Sequence, residues 1–123
     1  MCLKQKLKNK DLTVGSWITL GNTSIAEILA NAGYDWLVVD LEHTTISLEQ
    51  AGELIRTIEL AGVSPLVRLT NNDENQIKRV MDAGAHGIVV PMVKSADDAK
   101  YAVAATRYPP LGNRGVGLAR AQG

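Results

Sequence analysis

The sequence predicts an α/β protein built on a parallel sheet, and three observations support this fold class. Short apolar runs alternate along the chain with segments of helical periodicity. The dipeptide Ala-Gly ends a helical segment just before the next apolar run at three places, which begin at 32, 61 and 83. Two of the apolar runs are hydrophobic almost throughout, as in strands that are covered on both faces. Repeated β-α units of roughly 20 to 30 residues, with parallel strands, are therefore predicted.

Four apolar, β-branched or aromatic runs are the predicted strands. In parallel α/β folds the loops at the carboxyl ends of the strands carry the chemistry, whether the sheet is open or closed. Polar residues follow the second and third runs, so we expect the functional site at that edge of the sheet. The runs are VGSWITL at 14–20, DWLVVDL at 35–41, SPLVRL at 64–69 and GIVVPMV at 87–93.

A helix is predicted after each of these strands, because each intervening segment opens on a residue that can cap a helix. The first three segments end in glycine, the residue preferred just past the end of a helix. The predicted caps are one of Asn22, Thr23 and Ser24 for the first helix, then Ser47, Asp73 and Ser95.

Composition indicates one globular domain over residues 1–123, since 46% of the residues are hydrophobic and the mean hydropathy is −0.02. Within it, we expect 1–13 to form an N-terminal arm or short helix, and 107–123, which is rich in proline and glycine, to form a loop. Thirteen Lys and Arg balance thirteen Asp and Glu, so the chain lacks the charge excess of a nucleic-acid or membrane-surface binder.

Cysteine content and hydropathy exclude further kinds of site and of protein. Cys2 is the single cysteine, which excludes an internal disulfide and a cysteine-based zinc site. No apolar stretch approaches the roughly 20 residues of a membrane helix, and the lysine-rich start is not followed by an apolar signal segment. We therefore expect a cytoplasmic protein whose partner is a small molecule or another protein.

Three ionisable residues stand where the second and third predicted strands end. His43 follows the second strand, and Asp40, three residues earlier, is near enough to orient a ring nitrogen of His43 and favour its protonated form. Arg68 ends the third strand and offers a planar cationic fork for a carboxylate or for oxygen charge on an enolate. The pattern predicts acid-base chemistry on an anionic substrate.

Other residues with reactive side chains fit structural roles better. His86 precedes the fourth strand, at the end of such folds associated with stability. Lys94 could form a Schiff base, yet its place next to Ser95 suits an exposed residue beside a helix cap. On general grounds Trp17 and Trp36, both in strands, are predicted to pack in the protein interior.

Four segments together resemble the N-terminal half of the HpcH/HpaI aldolases, metal-dependent class II enzymes that act on pyruvate-type 2-oxo acids. The resemblance covers the chain from Gly15 onward and implies a (β/α)8 TIM barrel, of which this chain supplies about four β-α units. It also implies an aldolase that cleaves or forms 4-hydroxy-2-oxo acids from pyruvate, or a related 2-oxo acid, and an aldehyde. The segments are GYDWLVVDLEH at 33–43, PLVRL at 65–69, VMDAGAHGIVVPMV at 80–93 and ATRYPPLGNRGVG at 105–117.

The resemblance implies a role for each of six residues. His43 resembles the catalytic acid-base, Arg68 the residue that holds the oxo acid and stabilises its enolate, and Asp82 the carboxylate that raises the basicity of the histidine. Asp82 ends the third helix at the opposite end of the barrel from His43, so a contribution across a subunit interface is our hypothesis. The others resemble polar partners around the site, Asp40 and Glu42, and an aromatic wall of the pocket, Trp17.

The resemblance implies a divalent metal ion, magnesium, manganese or cobalt, whose Glu and Asp ligands lie in the second half of the family's barrel. We therefore expect no metal ligand in this chain, and a partner that is a further copy or a complementary half-barrel. Three hypotheses follow: an aldolase, a non-catalytic fragment that associates with another half-barrel, and an open α/β module that binds phosphate at GNTS, residues 21–24.

Overall fold

The computed structural model describes residues 1–118 and 120, and this part of the chain has five helices and four strands. Helices and strands alternate as the sequence predicts, and the predicted arm contains a short helix. Residues 119 and 121–123 of the predicted loop lie outside the described residues. The elements are α1 Leu3–Asn9, β1 Gly15–Ile18, α2 Thr23–Ala30, β2 Trp36–Asp40, α3 Leu48–Leu60, β3 Ser64–Arg68, α4 Glu74–Asp82, β4 Gly87–Val89 and α5 Ala96–Thr106.

The four described strands form one parallel sheet in the order β1-β2-β3-β4. Each strand therefore lies beside the next strand in sequence, joined to it by a crossover helix. The predicted fold class, parallel α/β with four β-α units, is confirmed. All four carboxyl ends lie at the same edge of the sheet, as a shared site requires.

Local sequence sets where the helices begin. The side chain of Ser47 accepts a hydrogen bond from the backbone N–H of Gln50, and the side chain of Gln50 accepts one from the backbone N–H of Ser47. Asp73 accepts from two backbone N–H groups at the start of α4, and Ser95 accepts from one at the start of α5. Asn22, one of the three candidates for the first helix, is its cap. The predicted caps are confirmed.

The core lies between the sheet and the helices that cover one of its faces. Leu37, Val39 and Val67 point from the sheet into this layer, where α3 and α4 supply fully buried aliphatic side chains. Alternate residues of β2 and β3 point to the opposite face, so Asp40 and Arg68 share that face and are paired in the register of the ladder.

The fourth strand is shorter than its apolar run predicts, since only residues 87–89 of the run 87–93 are paired. Pro91 has no backbone N–H for a ladder, and Met92 adopts a left-handed conformation with φ of 55°. The chain therefore leaves the sheet after Val89. Among the described residues, no helix combines the length and the apolar content that crossing a bilayer requires.

We expect the 123-residue chain, purified by itself, to form dimers or larger assemblies, because β1 and β4 are each paired on one side only. The half-exposed Val14 and Trp17 lie at one open edge, and Val89 and Val90 at the other. Size-exclusion chromatography with light scattering measures the mass.

A charge at the open edge should shift the distribution towards monomer. Val89→Lys is the test variant, and Ile28→Lys, at an exposed position of α2, is the matched control. A monodisperse monomer of the parent chain would show that the open edges do not drive association.

Candidate active site

The side chains predicted to form the site come together at the carboxyl ends of the first three strands. Asp40 is the last residue of β2 and lies beside Arg68, the last residue of β3, in the ladder. Trp17 lies in β1, and Glu42 and His43 belong to the loop that follows β2. Five of the six residues singled out by the sequence thus lie in one cluster, which we call the strand-end cluster.

Asp40 is the buried centre of the strand-end cluster, with an exposed fraction of 2%. Its Oδ1 accepts hydrogen bonds from the backbone N–H groups of Glu42, at 2.9 Å, and His43, at 3.4 Å, and from Nε of Arg68, at 2.9 Å. Its Oδ2 accepts from Nη2 of Arg68 at 2.5 Å. The hydrogen bonds from Arg68, supported by the two backbone N–H groups, lower the pKa of the Asp40 carboxyl although burial opposes this shift.

The guanidinium of Arg68 is contacted along one edge by Asp40 and on one face by Trp17. Asp40 takes its Nε and Nη2, and the ring of Trp17 lies 4.5 Å from its Cζ, within range of a cation-π contact. The hydrogen bond to Asp40 raises the pKa of the guanidinium. Its remaining nitrogen, Nη1, lies 3.6 Å from Oε1 of Glu42. Trp17, predicted on general grounds as a core residue, is therefore partly exposed beside Arg68, and its role as a wall of the pocket stays a prediction.

The imidazole of His43 is the accessible group of the strand-end cluster, with 72% of its side chain exposed. Its Nε2 lies 2.8 Å from Oε1 of Glu42. Asp40, which we expected to orient this ring, contacts the backbone N–H of His43 instead, because its carboxylate is directed to Arg68. The carboxylate that contacts the ring is therefore that of Glu42.

Thr44, which was not among the predicted site residues, holds the loop that carries His43. Its hydroxyl donates to the backbone carbonyl of Asp40 and accepts from the backbone N–H of Ile46 at 3.2 Å. A threonine shortly after the end of a strand, able to bond nearby backbone groups, was the available signal. Together with Asp40 it satisfies the backbone of this short loop and so fixes the position of His43.

Asp82 lies away from the strand-end cluster. It is the last residue of α4, near the start of β4, whereas His43 follows the opposite end of the parallel sheet. Its Oδ1 accepts from Nη2 of Arg114 at 2.8 Å, and Cζ of Arg114 lies 4.7 Å from the ring of Tyr108. Asp82 therefore holds the segment that follows α5. This ion pair joins residues that are 32 positions apart in sequence, and we did not predict it.

The remaining candidates occupy the positions expected of structural residues. Nε2 of His86 lies 3.3 Å from Oε1 of Glu59 at the amino end of β4. Lys94 is exposed, and its backbone N–H donates to the side chain of Asp98 in the first turn of α5. The ring of His86 thus contacts a residue outside the strand-end cluster, and the backbone contact of Lys94 belongs to the start of α5.

The segment GNTS at 21–24 lines a depression next to the start of α3. Two carboxylates, those of Glu49 and Glu53, line the same depression. The side chain of Asn22 accepts from the backbone N–H of Ser24, which uses one of the groups that an anion would need. These features disfavour phosphate at this helix start.

The strand-end cluster does not provide a ligand set for a divalent metal ion. Within residues 1–118 and 120, no three His, Cys, Asp or Glu side chains converge as metal ligands. Both oxygens of Asp40 are bonded to Arg68, and Oε1 of Glu42 is in contact with His43. The arrangement suits a different task, in which a fixed guanidinium holds an anion beside an accessible imidazole.

The lowered pKa of Asp40 predicts how stability depends on pH. A carboxyl whose pKa is lower in the folded than in the unfolded chain stabilises the fold above the ordinary carboxyl pKa of about 4, and this contribution is lost as the pH falls through the folded value. The parent chain should therefore lose more melting temperature between about pH 5 and about pH 2 than the Asp40→Asn variant does. Thermal melts at fixed protein concentration measure this; equal losses would contradict the assignment.

Comparison with known proteins identifies the family of this chain. The sequence model of the HpcH/HpaI aldolase/citrate lyase family matches residues 13–121. The 4-hydroxy-2-oxo-heptane-1,7-dioate aldolase of Salmonella dublin is 44% identical over 119 residues, which are 97% of this chain and 45% of that protein. The chain thus spans about half the length of the curated relatives it matches.

Solved structures of similar proteins superpose on this half. The HpcH/HpaI aldolase from Desulfitobacterium hafniense DCB-2 has a TM-score of 0.87 and 40% identity, covering 95% of this chain and 46% of that one. The citrate synthase SbnG has a TM-score of 0.88 and 37% identity, covering 94% of this chain and 47% of that one. The chain therefore belongs to the HpcH/HpaI aldolase/citrate lyase family, and its four β-α units match half of the (β/α)8 barrel of its structural neighbours.

Proposed function

We propose that this chain supplies the oxo-acid-binding and proton-transfer residues of a carbon-carbon lyase that cleaves or forms 4-hydroxy-2-oxo acids. The observation that carries the proposal is the arrangement of Arg68 and His43 around one carboxylate, Glu42, whose Oε1 lies 2.8 Å from the imidazole and 3.6 Å from the guanidinium. A relative 44% identical to this chain is named for the substrate 4-hydroxy-2-oxo-heptane-1,7-dioate. We take that compound as the test substrate.

Arg68 binds the carboxylate end of the 2-oxo acid in this proposal. Asp40 occupies one edge of its guanidinium, which leaves Nη1 and the second hydrogen of Nη2 as a pair of parallel donors. Trp17 covers a face of the group and limits its rotation. The same positive charge stabilises the oxygen on which negative charge collects when the carbon-carbon bond breaks.

His43 moves the protons. In the cleavage direction the imidazole takes the proton of the 4-hydroxyl, the bond between C3 and C4 breaks, and the electron pair of that bond forms the enolate of pyruvate while an aldehyde leaves. The imidazolium then gives its proton to C3 of the enolate, which yields pyruvate and restores the imidazole. For 4-hydroxy-2-oxo-heptane-1,7-dioate the leaving aldehyde is 4-oxobutanoate. Exposure of the ring allows it to reach such a substrate.

The family resemblance implies a divalent metal ion. In this proposal its ligands come from outside the described residues. The carboxylates of the strand-end cluster are committed to Arg68 and His43. We therefore assign the metal no residue of this chain, and we expect the 123-residue chain by itself to release no pyruvate in magnesium, manganese or cobalt. Location in the cytoplasm and assembly into a homo-oligomer stay predictions.

A non-catalytic half-barrel is the second candidate function. The chain covers 45% of a curated relative, and both outer strands of its described sheet have an open side. In that reading the strand-end cluster persists as a structural remnant. The two candidates differ in whether a complete barrel containing this segment turns over substrate.

A chimera tests the proposal directly. In it, residues 13–118 of this chain replace the matching segment of the Salmonella dublin aldolase, and pyruvate release is followed by coupling to lactate dehydrogenase in excess magnesium or manganese. We expect turnover, because this chain would supply the His43 and Arg68 positions. A chimera with the melting temperature and oligomeric mass of the Salmonella dublin enzyme that releases no pyruvate would favour the non-catalytic candidate.

In this chimera, His43→Ala should lower the rate of cleavage by about 10²- to 10⁴-fold, the range for a positioned acid-base group. Folding should hardly change, because the ring is mostly exposed. His86→Ala is the matched control, since that histidine lies at the opposite end of the sheet. Near-parental turnover by the His43 variant would assign the proton transfers to another group.

Arg68→Lys should raise the KM and lower the rate, together about 10- to 100-fold in kcat/KM, because an ammonium cannot donate to Asp40 and to a substrate carboxylate along two edges. Arg56→Lys, at an exposed ion pair on α3, is the control for the same exchange. If kcat/KM of the Arg68 variant equals that of the parent chimera, the guanidinium geometry has no role in binding.

A further inference from the structure

The carboxylate of Asp40 binds both the loop after β2 and Arg68 at the end of β3, and so fixes their relative position. Through Oδ1 it holds the backbone N–H groups of Glu42 and His43, and through both oxygens it holds Arg68. Asp40 and Arg68 are 28 residues apart in sequence and adjacent in the sheet register. One buried group therefore determines both where the imidazole-bearing loop begins and how the guanidinium is turned.

The free edge of Arg68 faces the side of the cluster where His43 lies. Nη1 is 3.6 Å from Oε1 of Glu42, and that same oxygen is 2.8 Å from Nε2 of His43. An anion bound by the free edge would therefore sit next to the imidazole. If the edge held by Asp40 were released, the guanidinium could rotate towards Glu42, the nearest other carboxylate in the cluster.

We propose that Asp40 is the positioning residue of this site: it fixes one edge of Arg68 so that the opposite edge presents two donors to the 2-oxo acid, and it limits the contact of Glu42 with the guanidinium to the ion pair at 3.6 Å. The proposal rests on the function proposed above, in that it assigns the free edge to the substrate. It gives Asp40 a role through Arg68 and none in proton transfer with His43.

Asp40→Asn removes part of the hold on Arg68 and keeps the hold on the loop. The amide oxygen in place of Oδ1 can still accept from the backbone N–H groups of Glu42 and His43 and from Nε of Arg68, but the amide nitrogen in place of Oδ2 cannot accept from Nη2 of Arg68. In the chimera, the dissociation constant of oxalate, an unreactive analogue of the 2-oxo acid, should rise about 10- to 100-fold with the oligomeric mass unchanged. Asp35→Asn is the matched control, because Asp35 precedes the same strand, pairs with Lys6 and lies at its opposite end.

The double variant Asp40→Asn with Glu42→Gln distinguishes positioning from a merely structural role. If Glu42 captures the released guanidinium, removing its charge should restore part of the oxalate affinity that Asp40→Asn loses. A purely structural Asp40 predicts that the second substitution gives no recovery. Unchanged oxalate affinity in Asp40→Asn, or a loss with no recovery in the double variant, would overturn the proposal.

Chemical modification of arginines in the 123-residue chain provides a readout that needs neither substrate nor metal. Phenylglyoxal labelling with peptide mapping should show Arg68 reacting more slowly than the exposed Arg56, and the double variant Asp40→Asn with Glu42→Gln should raise the Arg68 rate severalfold while the Arg56 rate stays constant. An unchanged Arg68 rate overturns the positioning role. If labelling behaves as expected but the parent chimera binds no oxalate and releases no pyruvate, the proposed function fails and the hold of Asp40 on Arg68 stands.

Discussion

The ion pair between Asp40 and Arg68 is the contact on which the candidate site depends. A buried carboxylate is costly unless donors satisfy it, and here four N–H groups do so. Two of these donors belong to the loop that carries His43 and two belong to the guanidinium at the end of the neighbouring strand. The need to satisfy one buried charge thereby places an imidazole and a cationic fork side by side.

Parallel strands separate the end of this half-barrel that carries the candidate site from the end where other charge pairs join its elements. The strand-end cluster lies at the carboxyl ends, where loops can vary without disturbing the sheet. Near the amino ends lie contacts of another kind: Lys6 with Asp35, Glu59 with His86, and Asp82 with Arg114. These contacts tie α1, α3 and the segment after α5 to the ends of neighbouring elements, and the role of Asp82 across a subunit interface stays a prediction.

The chain belongs to the family, but its described residues do not form the whole candidate site. The family model and the solved structures agree on the fold and the family of the chain. The described residues do not form a donor set for a divalent ion. In the strand-end cluster, the carboxylate of Asp40 accepts from Arg68 and the backbone, and that of Glu42 contacts His43. The enzymatic proposal therefore concerns a barrel in which further residues complete this site.

The sequence by itself determined the features that depend on neighbouring residues. Helix starts at Ser47 and Asp73 follow from side chains that bond the backbone two or three residues ahead, and the parallel sheet follows from apolar runs alternating with helical periods. Only the tertiary structure decided which carboxylate contacts which cation, because Asp40 meets Arg68 across 28 residues and Asp82 meets Arg114 across 32. Spacing favoured Asp40, three residues before His43, as the partner of the ring, whereas the register of β2 and β3 gave Asp40 to Arg68 and left Glu42 for the ring.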